Sequence, residues 1–479
     1  MKKFLVILLS LGLLVAFGAT ASALDVKFGG SYYVVGIYNN NYRVADENAA
    51  YSRAYFYTRT RIQPEFVVAE GLTLVTRFDA LEKQWGQTDW RGGFDDKNSS
   101  RREVTGVGVR TATTANAYNS TTLYGTNPKI QESIEFERAY VVFKTAVGVV
   151  QVGSMSSGKW GTDFGDDEQS RFRARIDTAI GPLQMGFVYE KEYESDYSSI
   201  PVLNTATGAV TYPYQGKADA DNDTYAPYVL YNFKGGSVGL LYKYFDRRAP
   251  RVLSNYRAKF HALLPVVKAT IGPVYFEAEA FYAFGKAVAF DSGASDIDID
   301  GLGAYGKVRM NLGPVYFGAM ALYSQGDDGS DPTKVKMGPQ SQDLFVGLLL
   351  GNDELQTYTN SSGNGSGPAG GTNVNGVTPY DSGKANTIMY SAFVGANPTP
   401  KLNVEMIAVS ASKDKIASSY VSKNLGIELD VIAKYKIFDN LTYMVGAGYL
   451  WTGDYFKGTN SANLIGNDYI LLNRLSLSF

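Results

Sequence analysis

The chain has 479 residues, 45 Lys and Arg against 47 Asp and Glu, a single histidine (His261) and no cysteine. This inventory excludes disulfides, thiolate metal sites, covalent c-type haem, a lipid-modified cysteine and any His-ligated metal cluster. The near-neutral balance provides no basic footprint for nucleic acid and no polybasic membrane clamp.

The N-terminus reads as a cleaved secretory signal peptide over residues 1–23. Lys2 and Lys3 precede an apolar run from Phe4 to Phe17, and Ala21-Ser22-Ala23 is a small-residue cleavage site. Cleavage before Leu24 removes two of the 45 basic residues and no acid, leaving 43 against 47. Beyond it no run approaches the roughly 18 apolar residues of a helical span. Tyrosine (35) outnumbers phenylalanine (25), which suits aromatic girdles at two membrane interfaces better than a soluble core.

Segments of alternating polarity then follow one another, in the length range of a tilted membrane strand. They begin at 26–38 and at 51–63, where Arg53, Tyr55, Tyr57, Arg59 and Arg61 share a face. In 72–81, Arg77 and Asp79 oppose Leu72, Leu74, Phe78 and Ala80, and a long polar loop runs over about 82–131. Residues 136–177 hold strands four to six and an acidic, Gly-rich loop, 156–169, with Asp163, Asp166, Asp167 and Glu168. In strand six Arg171, Arg173 and Arg175 point one way and Phe172, Ala174 and Ile176 the other, because strand side chains repeat every two residues. Strand four leaves the inward face open, since Glu135 and Glu137 lie opposite Arg138. Further strands are expected at 183–192, 225–233, 238–245, 255–268, 274–285, 301–312, 315–324, 387–396, 402–411, 424–437, 441–452 and 468–479.

Every second connection is a tight turn, as at Gly181-Pro182, Gly272-Pro273, Gly313-Pro314 and Asp439-Asn440, and the others are long and rich in Gly, Asn and Asp. Such strict alternation predicts an all-β fold: an antiparallel meander barrel with short periplasmic turns and long extracellular loops. The expected count is about eighteen strands. Residues 326–384 are the ambiguous stretch. They contain a flexible Ser/Gly/Asn tract and the apolar run Leu344–Leu350, a helix in the mouth or half of an extra hairpin, so that twenty strands or sixteen are the alternatives.

In the closing strand Tyr469, Leu471, Leu475, Leu477 and the terminal Phe479 share one face. This pattern resembles the signature strand that outer-membrane assembly machinery recognises. Together with FERAYVVFKTAVGVVQVGSMSSGKWGTDFGD (136–166) and NLGIELDVIAKYKIFDNLTYMVGAGYLWTGDYF (424–456), it resembles the Gram-negative outer-membrane porins, the second segment also being similar to eighteen-stranded alginate-exporter-type channels. The resemblance implies residues 24–479 as one barrel in the outer membrane, with a third loop folded inward as a constriction. It also implies Tyr469, Leu475, Leu477 and Phe479 as the assembly signal, with lipid, the barrel-assembly machinery and further copies in a homotrimer as partners.

Charges on a lipid face cost about 2–4 kcal/mol for each midplane Arg or Lys, so polar faces are assigned to the lumen. That gives a basic wall of Arg53, Arg59, Arg61, Arg77, Arg171, Arg173 and Arg175, continued by Lys243, Arg257, Lys259, Lys307, Arg309, Lys434, Lys436 and Arg474. His261 goes with Arg257 and Lys259. The acidic members are Asp79, Glu190, Glu192, Glu277, Glu279, Glu405, Glu428 and Asp430, and an inward loop would set Asp163, Asp166, Asp167 and Glu168 against the arginines. The expected function is passive diffusion of ions and small hydrophilic or anionic solutes, with mild anion preference, without cofactor, metal, enzymatic activity or nucleic acid. A sheath around a multihaem cytochrome and an anionic-polysaccharide exporter stay open as alternatives. A hydrolase using His261 lacks any serine motif to serve it.

Overall fold

A computed structural model describes residues 25–46, 48, 52–85, 134–156, 160–165, 169–194, 202–203, 207–211, 221–250, 256–339, 341, 343–351 and 384–479. The expected leader and most of the 82–131 loop lie outside them. The barrel strands are β1 (Asp25–Asn39), β2 (Arg53–Ala69), β3 (Leu72–Gln84), β4 (Glu135–Thr145), β5 (Gly148–Ser156) and β6 (Ser170–Ile180). They continue as β7 (Leu183–Tyr193), β8 (Asn222–Phe233), β9 (Gly236–Arg247), β10 (Tyr256–Ile271), β11 (Val274–Phe290) and β12 (Ile297–Leu312). The last are β13 (Val315–Ser324), β14 (Thr387–Thr399), β15 (Leu402–Lys413), β16 (Asn424–Phe438), β17 (Leu441–Thr452) and β18 (Asp468–Ser478).

Each strand pairs antiparallel with the next, and β18 returns to β1 over Ser31↔Ser478 to Asn39↔Ile470, closing an eighteen-stranded meander barrel. Closure leaves no exposed edge, the condition for crossing lipid with strands. Two main-chain bonds between Gly30 and Phe479, 2.8 and 3.0 Å, end the seam. A Cβ on Gly30 would stand 2.6 Å from the Phe479 ring, so this close approach requires glycine. Gly181, Gly272 and Gly313 take φ near +60° ahead of their prolines, as tight turns demand. The two-residue strand Lys334–Val335 runs parallel beside β12 and adds nothing to the barrel. Leu344–Leu350 is neither helix nor strand.

Outward residues are apolar over most of the wall: Phe28 (68% exposed), Phe172 (67%) and Ile271 (69%) face away from the lumen. An apolar belt of this kind is stable only against lipid, and the protein is a transmembrane barrel of the outer-membrane type. At the loop end of β7–β11 five rings lie side by side at one height: Tyr189, Tyr225, Tyr244, His261 and Phe284, direct cross-strand partners with centroids 5.1–6.2 Å apart. They mark the outer membrane–water interface.

This girdle corrects one lumen assignment. Ala258, Phe260, Ala262, Leu264 and Val266 of β10 are the buried, inward residues, so Arg257, Lys259 and His261 point outward. The polarity of β10 is inverted because its inner face is covered by Trp160 of the third loop together with Phe245 and Phe281, making it a packed core surface rather than a wet one. In β4 a register shift lies between the Arg77 and Phe78 pairings, beside Glu137. Glu135 stands opposite inward Asp79, Glu137 neighbours Asp79 and Arg61, and Arg138 stands opposite Arg77, so the bulge turns all three charges to the lumen.

Candidate functional site

The third loop leaves β5 and crosses the lumen to β10–β12. Trp160 Nε1 donates to the Leu264 carbonyl (3.0 Å), the Thr162 amide and hydroxyl donate to Glu279 Oε2 (2.7 and 2.8 Å), and Phe164 stacks on Tyr305 with centroids 5.8 Å apart. These anchors are 104 and 117 residues away in sequence. Gly161 and Gly165 allow the approach, since a Cβ on Gly165 would lie 2.1 Å from the Glu279 carboxylate. The loop base is held by Arg173, which donates to the carbonyls of Met155 and, at 3.2 Å, Gln169.

Between this loop and β6–β10 lies a cavity of about 530 Å³. Among the described residues Arg171, Arg173, Arg175, Lys243, Arg247 and Lys268 line it against only two carboxylates, Glu190 and Glu192. The carboxylates stand one strand away and each serves more than one cation: Arg171 reaches Glu190 at 2.9 Å and Glu192 at 3.2 Å, Arg173 reaches Glu190 at 2.6 Å, and Arg247 reaches Glu192 at 2.9 Å. Arg175 pairs with Asp177 at 2.7 Å and touches the Tyr228 hydroxyl at 3.3 Å. Ion pairing therefore orders the guanidinium groups while leaving the cavity a cationic surplus.

The remaining predicted arginines gather around a second carboxylate. Arg61 grips Asp79 with both Nε and Nη2 (2.7 and 2.6 Å), and Arg59 approaches it at 3.9 Å while lying over the Tyr33 ring. Arg77 is the cross-strand partner of Arg138. Tyr140 neighbours Arg77, Arg138 and Arg175 and so links the two groups. Arg53 stands apart at the rim, stacked over Tyr42 at 4.1 Å.

Of the predicted acidic loop, Asp163 neighbours Tyr275 and Tyr305 on the far wall and does not line the cationic cavity. Asp166, Asp167 and Glu168 lie outside the described residues. The carboxylates that face the arginines among the described residues come instead from β7 and from Asp177. Tyr469, Leu475, Leu477 and Phe479 share the outward face of β18 at the seam.

On the opposite side of the lumen a second loop packs against the wall. Residues 343–351 fold inward and bury Leu344, Val346, Leu348, Leu349 and Leu350 against inward aliphatic residues of β13–β18 and β1, among them Leu322, Val409, Ile432, Leu450, Ile470 and Val35. Irregular backbone in such a core must have its amides satisfied. Leu349 and Leu350 donate to Glu428 at 2.6 Å each, and Leu348 to Asp430 at 3.0 Å, both carboxylates being fully buried. Lys384 Nζ caps the Ser341 carbonyl at 2.9 Å. Gly446 and Gly448 of β17 leave room for Leu348. Sequence reading placed Glu428 and Asp430 in the lumen but not under the loop. The signal was present as an apolar run with no partner and a wall strand with glycine at alternate inward positions.

No protein-family model matches the chain, and no curated protein does. Among solved structures it is similar to Acinetobacter baumannii OccAB2, at 12% identity over 95% of this chain and 98% of that one, with a TM-score of 0.49. It is also similar to Pseudomonas aeruginosa OccK2 (OpdF) in complex with glucuronate (11%, 95% and 97%, 0.47) and to the outer membrane protein opdK of the same organism (10%, 95% and 99%, 0.47).

Proposed function

We propose that the protein is a channel for passive diffusion of small hydrophilic anions, with β6–β10 as its selectivity surface. The observation that carries this reading is the cavity of about 530 Å³ in which, among the described residues, six cations meet two carboxylates. Fixed charge at a narrow, weakly solvated place sets the electrostatic barrier for an ion. Two inward loops support a size limit, because one reaches across to β10–β12 and the other packs on the far wall. The same occupancy disfavours the sheath, which needs a bore wide enough for a folded protein, and disfavours a polymer exporter. Outer-membrane lipid is the surrounding solvent in this reading, and the β18 face with Phe479 is the segment offered to the assembly machinery. Assembly as a homotrimer is part of this reading.

The test is single-channel recording of the refolded protein in planar bilayers under a salt gradient. The wild type is expected to show stable open steps with an anion-preferring reversal potential. The variant Arg171→Gln/Arg175→Gln, which spares the buried Arg173, is expected to move that potential toward cation preference. A cation-selective wild type, or a variant with an unmoved reversal potential, overturns the assignment.

A further inference from the structure

Above the ring row, one outward position nearer the loop end, β7–β12 carry a second cross-strand row: Lys191, Asp223, Asp246, Lys259, Lys286 and Asp298. At about 3.3 Å per residue these charges stand roughly 7 Å above the rings, where an interface gives way to headgroups. Most of them are compensated. Lys191 reaches Asp221 and Asp223 at 2.7 and 2.9 Å, Arg248 holds Asp246 at 2.8 Å, and Asp298 holds Lys286 at 2.6 Å. Lys259 lies between Asp246 and Lys286, whose own partners are already taken.

Arg257, two residues further out on the same face of β10 and close to Tyr244, is in the same position as Lys259. Neither forms an ion pair with any described residue. Lys259 and Lys286 are moreover direct cross-strand partners, a juxtaposition of like charge that is unfavourable without an anion to share. Below the ring row, the next outward row, Leu263, Tyr282 and Leu302, is apolar, with Tyr282 and Leu302 exposed to the membrane.

We infer that Arg257 and Lys259, flanked by Lys286, form a docking site for the phosphate of an outer-leaflet lipid whose acyl chains lie along Leu263, Tyr282 and Leu302. Uncompensated cations at headgroup height match an anionic headgroup, and the apolar row beneath matches its chains. The ring row, braced by the 2.6 Å contact between the Tyr242 hydroxyl and His261 Nδ1, sets the depth at which the two meet. The site lies on the outer wall and does not depend on what passes through the lumen.

The test is native mass spectrometry of the refolded full-length mature protein in detergent, titrated with bisphosphorylated lipid A. Heat-modifiable migration first establishes that each variant is a folded barrel. The Arg257→Gln/Lys259→Gln variant is expected to hold the lipid about 30-fold more weakly, from roughly one decrement per interfacial cation. Lys191→Gln, at the same height on the wall but removing a cation already paired, is expected to bind as the wild type does. Lipid A stripped of both phosphates is expected to bind the wild type as weakly as the double variant binds the intact lipid. Equal binding by wild type and double variant, or equal binding of phosphorylated and stripped lipid, overturns the site. Displacement of the lipid by an equal concentration of inorganic phosphate overturns the lipid as its occupant.

Discussion

Along β2, β3, β6, β7 and β9 inward charged side chains are held by ion pairs, leaving open space beside them. In β13–β18 and β1 the inward side chains packed against residues 343–351 are mostly aliphatic and form a buried core with them. Both halves belong to one barrel of one strand period, so backbone geometry does not separate them. What differs is the loop each wall receives. The third loop arrives with tryptophan, threonine and glycine and makes a few directed bonds to β10 and β11. The segment 343–351 arrives with four leucines, a phenylalanine and a valine and needs an apolar bed, with two carboxylates to satisfy its amides. A lumen face is wet or dry according to what lies on it.

That contrast can be broken most strongly on the filled side. Glu428→Ala/Asp430→Ala strands three buried amides, at about 1–3 kcal/mol each. The segment is expected to leave its bed, giving larger conductance steps and proteolytic cleavage within 341–351. Unchanged conductance and protease resistance would mean that apolar contacts alone hold it. On the cationic side the largest single effect is expected from Arg173→Ala, which leaves Glu190 without its 2.6 Å partner and releases the third-loop base. Breaking such a buried pair costs about 3–5 kcal/mol, read as a lower urea midpoint for loss of the heat-modifiable form. Gly165→Ala is expected to cost about 1–3 kcal/mol of overpacking against Glu279 and to swing the loop off β11, increasing conductance. The smallest effect belongs to Asp79→Asn, which frees Arg61 and Arg59 from their carboxylate and is expected to sharpen anion preference in the reversal potential without altering the step size.

The strand count, the strand order and the alternation of short turns with long connections were legible in the residues, because each rests on local chemistry. Period-two polarity reports a strand wherever one face is wet, as at 171–176, and Gly-Pro pairs report a turn whatever surrounds them. The inward direction of Arg171, Arg173 and Arg175 was legible for the same reason, because they alternate with Phe172, Ala174 and Ile176. The apolar run Leu344–Leu350 was visible too, but as an ambiguity between helix and hairpin, and it proved to be irregular backbone made tolerable by Glu428 and Asp430.

Where the inner face is covered by another part of the chain, polarity stops reporting direction. Arg257, Lys259 and His261 alternate with Ala258, Phe260 and Ala262 as cleanly as any lumen-facing set, yet Trp160, 104 residues from its Leu264 partner, makes the apolar side of β10 the inner one. In β4 a single bulge placed Glu135, Glu137 and Arg138 on one side, against strict alternation. The sequence by itself therefore determined a closed meander of eighteen strands. Tertiary structure alone decided which acids the inward loops find and which face of β10 meets the membrane, since those outcomes depend on contacts 78 to 117 residues apart that no local period encodes.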